Sequence, residues 1–327
     1  MRTERDMKLT RRDLMKYGGA AGVLLGSGMT TTQALAQSMS VKVAALKTIP
    51  AISQFLYDRF DGTGIEVEVV QFNSPTDCKN AVVTRSVDFG GFGIAAAISG
   101  AAAGEPLKVI AGLCNGGMAV VAGASSGIDS ISDLKGKKVG IWPGSTQEIF
   151  TMERLKMEGI AYSEIEPVRV FFSEMHSALA SGDIDAYVGA EPGPGISVST
   201  GVGKIVEYPY STPMGSLNVI FATHPALIEE KPEVVAAMMK VHKDASEFCM
   251  TKPKETAEAA VEIFGMKPEA VAVSLPNVEL NWELSPELIK RAAIYAEHMK
   301  ALKQIRDVPN FSDMMDGSFS AALKKDA

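Results

Sequence analysis

Short runs rich in apolar and β-branched residues alternate with helix-length segments through most of this chain, and that rhythm limits the possible folds more than any other feature. Val41 to Leu46, Gly64 to Val70, Leu107 to Leu113 and Lys138 to Trp142 read as strands. Between them Ala51 to Phe60, Pro75 to Arg85, Ile94 to Ala102 and Thr146 to Glu158 read as helices. Strand-helix alternation of this kind predicts open, largely parallel α/β sheets, in which ligands sit beyond the carboxyl ends of the strands.

A faint internal echo says that the α/β unit occurs twice. Ser86-Val87-Asp88-Phe89-Gly90-Gly91-Phe92-Gly93 resembles Asp183-Ile184-Asp185-Ala186-Tyr187-Val188-Gly189-Ala190-Glu191-Pro192. Each follows a helix-like segment and places an Asp before a short apolar strand that ends at a turn, so two such turns in two lobes could face one another across a cleft. The last third differs, with long amphipathic helices predicted from Pro232 to Met250, Pro253 to Phe264 and Pro286 to Ile305, each opened by a Pro. Val235, Met238, Met239, Val241 and His242 form a stripe expected to pack rather than to hold a cofactor.

The first 36 residues read as an address. Thr10-Arg11-Arg12-Asp13-Leu14-Met15-Lys16, a Gly/Ala-rich stretch from Gly18 to Met29, and Ala34-Leu35-Ala36 make a twin-arginine export signal with its cleavage site, and no Cys follows to carry a lipid. The stretch is shorter than the roughly 20 residues a membrane-spanning helix needs. The expectation is a periplasmic protein that is not a lipoprotein. The address holds six Lys/Arg and three Asp/Glu, so its removal takes the net charge from −7 to −10 and leaves 291 of 327 residues, enough for two lobes. An acidic chain is a poor nucleic-acid binder, and any anion site must be local. Cys78, Cys114 and Cys249 are odd in number and widely spaced, so no disulfide framework follows. His176, His224, His242 and His298 stand alone without a second ligand at metal spacing, and no cofactor is expected.

Candidate binding residues gather at strand-to-helix turns. Pro143-Gly144-Ser145-Thr146 follows a strand and opens a helix. Gly144 permits close approach, and Ser145 or Thr146 can set a hydroxyl beside the free N–H groups of the first turn, making either an anion socket or an ordinary cap. Phe72-Asn73-Ser74-Pro75-Thr76-Asp77 repeats the device, with Asn73, Ser74 and Thr76 as neutral hydrogen-bonding groups and Asp77 complementing the helix dipole. Phe92 and Gly93 close a third, Gly-rich turn that lacks a phosphate-loop ending. Lys47 and Thr48 follow the first strand, and Lys47 either pairs an anionic ligand or is a solvated surface group. Glu191 closes the second echo unit and argues against a purely anionic ligand unless it pairs with a protein cation or with an amino group of the solute. No Ser or Cys stands with a His and an acid in a recognisable catalytic pattern, and no paired-carboxylate motif is evident.

Four segments in order resemble one family. Asp133-Leu134-Lys135-Gly136-Lys137-Lys138-Val139-Gly140-Ile141 with Pro143-Gly144-Ser145, Ser86 to Gly90, Gly104-Glu105-Pro106-Leu107-Lys108-Val109-Ile110-Ala111, and Gly182 to Ala186 with Glu191-Pro192 look like the nitrate/sulfonate/taurine-type solute-binding proteins of ABC importers, which are related to thiamine-pyrimidine precursor-binding proteins. The resemblance covers essentially the whole chain after the address. It implies a type II periplasmic binding protein: two α/β lobes joined by two crossover strands, near Asn115 to Ala122 and Gly215 to Ala222, with extra C-terminal helices. One lobe would comprise 37–118 plus 219–327 and the other 119–218. The implied site is Lys47, Thr48, Asn73, Ser74, Thr76, Phe92, Gly93, Gly144, Ser145, Thr146 and Glu191. Where relatives often carry an aromatic residue before the Glu-Pro pair, this chain has Ala190, so that wall is missing or supplied elsewhere.

The function implied is capture of a small anionic or zwitterionic solute, such as a sulfonate, a nitrate-like ion or a small organic acid, by a monomer that delivers it to an inner-membrane ABC permease. Two alternatives are an exported enzyme of the same fold acting on a pyrimidine or related metabolite, and a ligand-sensing periplasmic protein. The pyrimidine-making branch carries a Cys-rich motif, and no Cys cluster occurs here, which argues for a non-enzyme.

Overall fold

The computed structural model describes residues 39–60 and 64–325, so the export signal expected at 1–36 lies outside the described residues. Among the described residues eleven strands build two sheets. The first contains β1 (Met39–Leu46), β2 (Ile65–Phe72), β3 (Phe89–Gly93) and β4 (Lys108–Gly116); the second contains β5 (Met118–Gly123), β6 (Lys138–Ile141), β7 (Glu166–Arg169), β8 (Ala186–Ala190) and β9 (Gly203–Glu207). The chain then returns to the first sheet with β10 (Leu217–Thr223) and β11 (Val278–Leu280). The strand orders are β11-β4-β10-β3-β1-β2 and β7-β6-β8-β5-β9.

Those two orders follow one plan. In the first sheet β1 pairs in parallel with β2 and β3, and β10 runs antiparallel between β3 and β4. In the second, β6 pairs in parallel with β7 and β8, and β5 runs antiparallel between β8 and β9. Each sheet thus has four strands of one direction interrupted by one strand that entered from the other lobe, and the first adds β11 as an antiparallel edge strand beside β4. The chain crosses at Gly116–Gly117 and again along 208–216. The segments expected to cross are mostly occupied by β5 and β10, the reversed strands that the crossings feed. Gly116 and Gly117 have φ of +68° and +72°, a region in which only glycine is at ease. A Cβ on Gly116 would clash with the carbonyl of Asn277.

The sequence echo has a physical basis. The Asp88 carboxylate accepts the Lys42 N–H at 2.8 Å, while the Asp88 N–H donates to the Lys42 carbonyl at 2.9 Å. Asp185 makes the same pair of bonds with Lys138, both at 2.8 Å. In each lobe an acid ahead of the third strand therefore pins it to the first strand, which aims Gly93 and Ala190 at equivalent positions.

Alternating side chains of the first sheet fill two layers. On β10, Leu217, Ile220 and Ala222 face one layer, with Ala95, Ile98 and Tyr295, and Val219 and Phe221 face the other, with Ile52, Leu56 and Met238. The C-terminal helices Pro232–Thr251, Pro253–Phe264 and Pro286–Ala301 begin at the expected prolines. The expected stripe of Val235, Met238, Met239, Val241 and His242 is wholly buried. His242 is a core residue: its Nδ1 accepts from the Tyr57 hydroxyl at 2.8 Å, and its Nε2–H donates to the Gly112 carbonyl at 2.8 Å. The three cysteines are buried and unpaired. Among the described residues no helix is long and apolar enough to cross a membrane, and no group of three or more His, Cys, Asp or Glu is placed to hold a metal ion.

Candidate functional site: the cleft between the lobes

The carboxyl ends of the parallel strands of both sheets converge on a cleft. Its inner part is a cavity of about 20 Å³, room for about one water, with Thr48, Gly93 and Asn218 on the first-lobe side and Gln147, Phe172 and Ala190 on the other. Gly93 and Ala190, the strand ends of the two echo units, thus do face each other. Outward lies a cavity of about 240 Å³ that shares Thr48, Phe172 and Ala190 and adds Lys47, Ser173 and His176. A larger cavity of about 350 Å³, lined by Asn115, Ser216, Trp282, Glu283 and Arg291 among others, lies on the crossover side. Of the same-direction strands only β4, through Asn115, opens on it, while the ends Leu46, Phe72, Gly93, Ile141, Arg169 and Ala190 do not. The fold therefore directs a ligand to the interlobe cleft.

The lobes are drawn tightly together. Gly93 abuts Thr146 so closely that a Cβ on Gly93 would clash with the Thr146 hydroxyl. That hydroxyl donates to the Asn218 carbonyl at 3.4 Å, and the Tyr295 hydroxyl donates to the Thr146 carbonyl at 3.0 Å. The Ile49 N–H, at the start of the 3-10 helix Ile49–Arg59, donates to the Glu191 carbonyl at 2.9 Å.

The candidate residues divide by position. Lys47 is exposed and lines the outer cavity, making no ion pair among the described residues. Thr48 is buried and lines both cavities. Asn73 and Thr76 are exposed on the rim; Asn73 lines an open groove together with Phe171, and Thr76 faces Gly144 across the cleft. Ser74 is the buried cap of the Pro75–Val83 helix, accepting the Asp77 N–H at 3.1 Å and donating to the Asp77 carboxylate at 2.7 Å. Phe92 lies fully inside the first-lobe core, because alternation along β3 turns it away from the cleft that Gly93 lines.

The turn read as an anion socket is occupied by the chain itself. Ser145 caps the Thr146–Met157 helix by accepting the Glu148 N–H at 3.2 Å, and the Glu148 carboxylate reaches back to the Gly144 N–H at 2.7 Å. Its other oxygen accepts from the Tyr162 hydroxyl at 3.0 Å, and burial, together with the neighbouring Glu148 charge, pushes the Tyr162 phenol far up. Ser145-x-x-Glu148 is a capping pattern legible in the sequence. Of the first-turn residues, Gln147 lines the inner cavity.

Glu191 is 0% exposed and is held by donors from both lobes. It accepts from the Gly195 N–H at 3.0 Å, the Ser274 hydroxyl at 2.8 Å and Asn277 Nδ2 at 3.2 Å. Burial pushes its carboxyl up, and those hydrogen bonds pull it partly back. The carboxylate is a fastening between lobes, so it places no demand for an amino group on a solute. Phe172 and His176, which carry no motif at the turns singled out in the sequence, also line the outer cavity. Phe172 supplies an aromatic wall beside Ala190, and its signal was the Phe171-Phe172 pair just past β7.

A cleft between two lobes of the same reversed-strand plan defines a periplasmic binding protein fold. Solved structures agree: the alkanesulfonate-binding protein SsuA of Xanthomonas axonopodis pv. citri, bound to MOPS, superposes with a TM-score of 0.74 at 17% identity, covering 85% of this chain and 98% of that one. The periplasmic nitrate-binding protein NrtA of Synechocystis PCC 6803 gives 0.75 at 13% identity, covering 89% of each chain. The chain belongs to the NMT1/THI5-like family, whose model matches residues 59–256. A putative aliphatic sulfonates-binding protein of Bacillus subtilis (strain 168) is 27% identical over 266 residues, 80% of each chain. A 4-amino-5-hydroxymethyl-2-methylpyrimidine phosphate synthase of Aspergillus parasiticus is 25% identical over 64% of each.

Proposed function

We propose that this chain is the solute-capturing component of an ABC-type importer, exported to the periplasm by its twin-arginine signal, working as a monomer and handing a small anionic or zwitterionic solute to a membrane permease. The observation that carries this reading is the cavity shared by the two sheets. A solute in the outer cavity, touching Thr48 on one side and Phe172 and Ala190 on the other, stabilises the closed form by its contacts to both, which is how a hinged binder couples capture to closure. Lys47 at the outer cavity and the helix start at Gln147 behind it favour negative charge, and the fastening of Glu191 removes the main argument against it. Lys47 and Thr48 form the contact set in this reading, and Gly93 and Thr146 close the lobes on each other behind it. Asn73, Thr76 and Gly144 form the rim, and Ser74, Ser145, Phe92 and Glu191 support the walls. The names of the Bacillus and Xanthomonas relatives point to a sulfonate as the first solute to try.

The Aspergillus relative favours a second reading, an enzyme acting on a pyrimidine. One experiment separates the two. The mature chain is melted with nitrate, taurine, hexanesulfonate, benzoate or 4-amino-5-hydroxymethyl-2-methylpyrimidine, and the bound solute is recovered for mass spectrometry. A carrier gains about 5 °C or more with one of the anions at a hundredfold excess over its Kd, and returns it unchanged. No gain with any of them, or recovery of an altered molecule, contradicts the proposal.

A further inference from the structure

The outer cavity contains a histidine whose proton position can be read from its neighbours. His176, near the start of the Met175–Ser181 helix, has Nδ1 3.1 Å from the Ser197 hydroxyl, and Ser197 Oγ is 2.8 Å from the Tyr187 hydroxyl. Tyr187 and Ser197 are both 0% exposed. Among the described residues the Tyr187 hydroxyl has no other hydrogen-bond partner, so its proton goes to Ser197 Oγ. The Ser197 proton is then free to go to His176 Nδ1. The reverse order, with Nδ1–H donating to Ser197 and Ser197 donating to Tyr187, strands the tyrosine proton in a buried site. The remaining ring proton therefore sits on Nε2, which has no protein partner among the described residues, on a ring that lines the cavity with Lys47. Burial lowers the His176 pKa, which favours the neutral ring.

We infer that His176 is a specificity-determining residue of the cleft: its Nε2–H, oriented through Tyr187 and Ser197, donates to an acceptor oxygen of the solute, and the Lys47 ammonium neutralises the charge on that same group. The inference rests on the cleft reading above. It places the oxyanion of the solute in the outer cavity, with the remainder against Phe172, Ile196 and Phe264. Tyr187 and Ser197 act as positioning residues, since they reach the solute only through the imidazole.

The test uses the mature chain and whichever of nitrate, taurine, hexanesulfonate and benzoate raises its melting temperature. Nitrogen-15 NMR of labelled histidines should show His176 as the Nε2–H tautomer, a mixture in Ser197→Ala, and a shift of the Nε2 signal on adding the anion. His176→Phe should weaken binding roughly ten- to a hundredfold, and His176→Gln, which keeps a donor near the Nε2 position, should recover part of the loss. An Nδ1–H tautomer in the parent chain, or an unchanged Kd in His176→Phe with the anion bound, overturns the inference and leaves the cleft reading intact. If none of the four binds, the cleft reading fails and the inference falls with it.

Discussion

The two lobes share one strand plan and one anchoring device, yet they treat the cleft differently. In the first lobe the third strand ends at Gly93, where bare backbone lies against Thr146 of the second lobe. In the second it ends at Ala190 and Glu191, and the carboxylate is spent on Ser274 and Asn277 of the opposite lobe. The histidines divide the same way. His242 in the first lobe has both ring nitrogens satisfied inside the core, whereas His176 in the second has one satisfied and one facing the cavity. Duplicated architecture sets where the strand ends arrive, and the residues placed there decide which of them fasten the lobes and which remain for a solute.

The largest effect expected from this contrast is in the acid stability of the first lobe. Burial lowers the His242 pKa from 6.5 to about 4, against the pull of its hydrogen bond to Gly112. Between those values the unfolded chain binds a proton that the folded chain refuses. Stability is therefore full above pH 6.5 and falls by about 3 kcal/mol as the pH drops to about 4. Denaturant titrations across that range should show the loss, and His242→Gln, which has no imidazole to protonate, should flatten it. An equal slope in the variant would place the acid sensitivity elsewhere.

A smaller effect tests whether the lobes are matched where the echo says they are. Asp88→Ala and Asp185→Ala each remove one carboxylate-to-amide bond at 2.8 Å, and each should cost about 1–2 kcal/mol. Similar losses in urea unfolding support a shared device. A loss confined to one lobe breaks the symmetry.

What was legible in the sequence follows the range of the interactions. The echo acids, the helix starts at Pro232, Pro253 and Pro286, and the buried stripe around Met238 all depend on near neighbours or on periodicity, and each could be read directly. The role of Glu191 could not, because Ser274 and Asn277 lie 83 and 86 residues away. His176 was passed over because its partner Ser197 is 21 residues distant and carries no motif. Ser145 shows a different failure: the S-x-x-E pattern was present, and two readings of the same turn competed until the position of the Glu148 carboxylate was known.

The central claim, that a solute is held between the strand ends of the two lobes, is tested most directly by comparing its Kd in two variants. Gly93→Val fills the interlobe contact at a backbone position (φ −61°, ψ 141°) that any residue can adopt, and Arg291→Ala alters the cavity on the crossover side and an exposed pair with Glu287, leaving the cleft untouched. With an anion that stabilises the parent chain, Gly93→Val should weaken binding at least tenfold, a cost in the range of overpacking a tight contact, while Arg291→Ala leaves it unchanged. The opposite pattern, with affinity lost in Arg291→Ala and kept in Gly93→Val, would contradict the account.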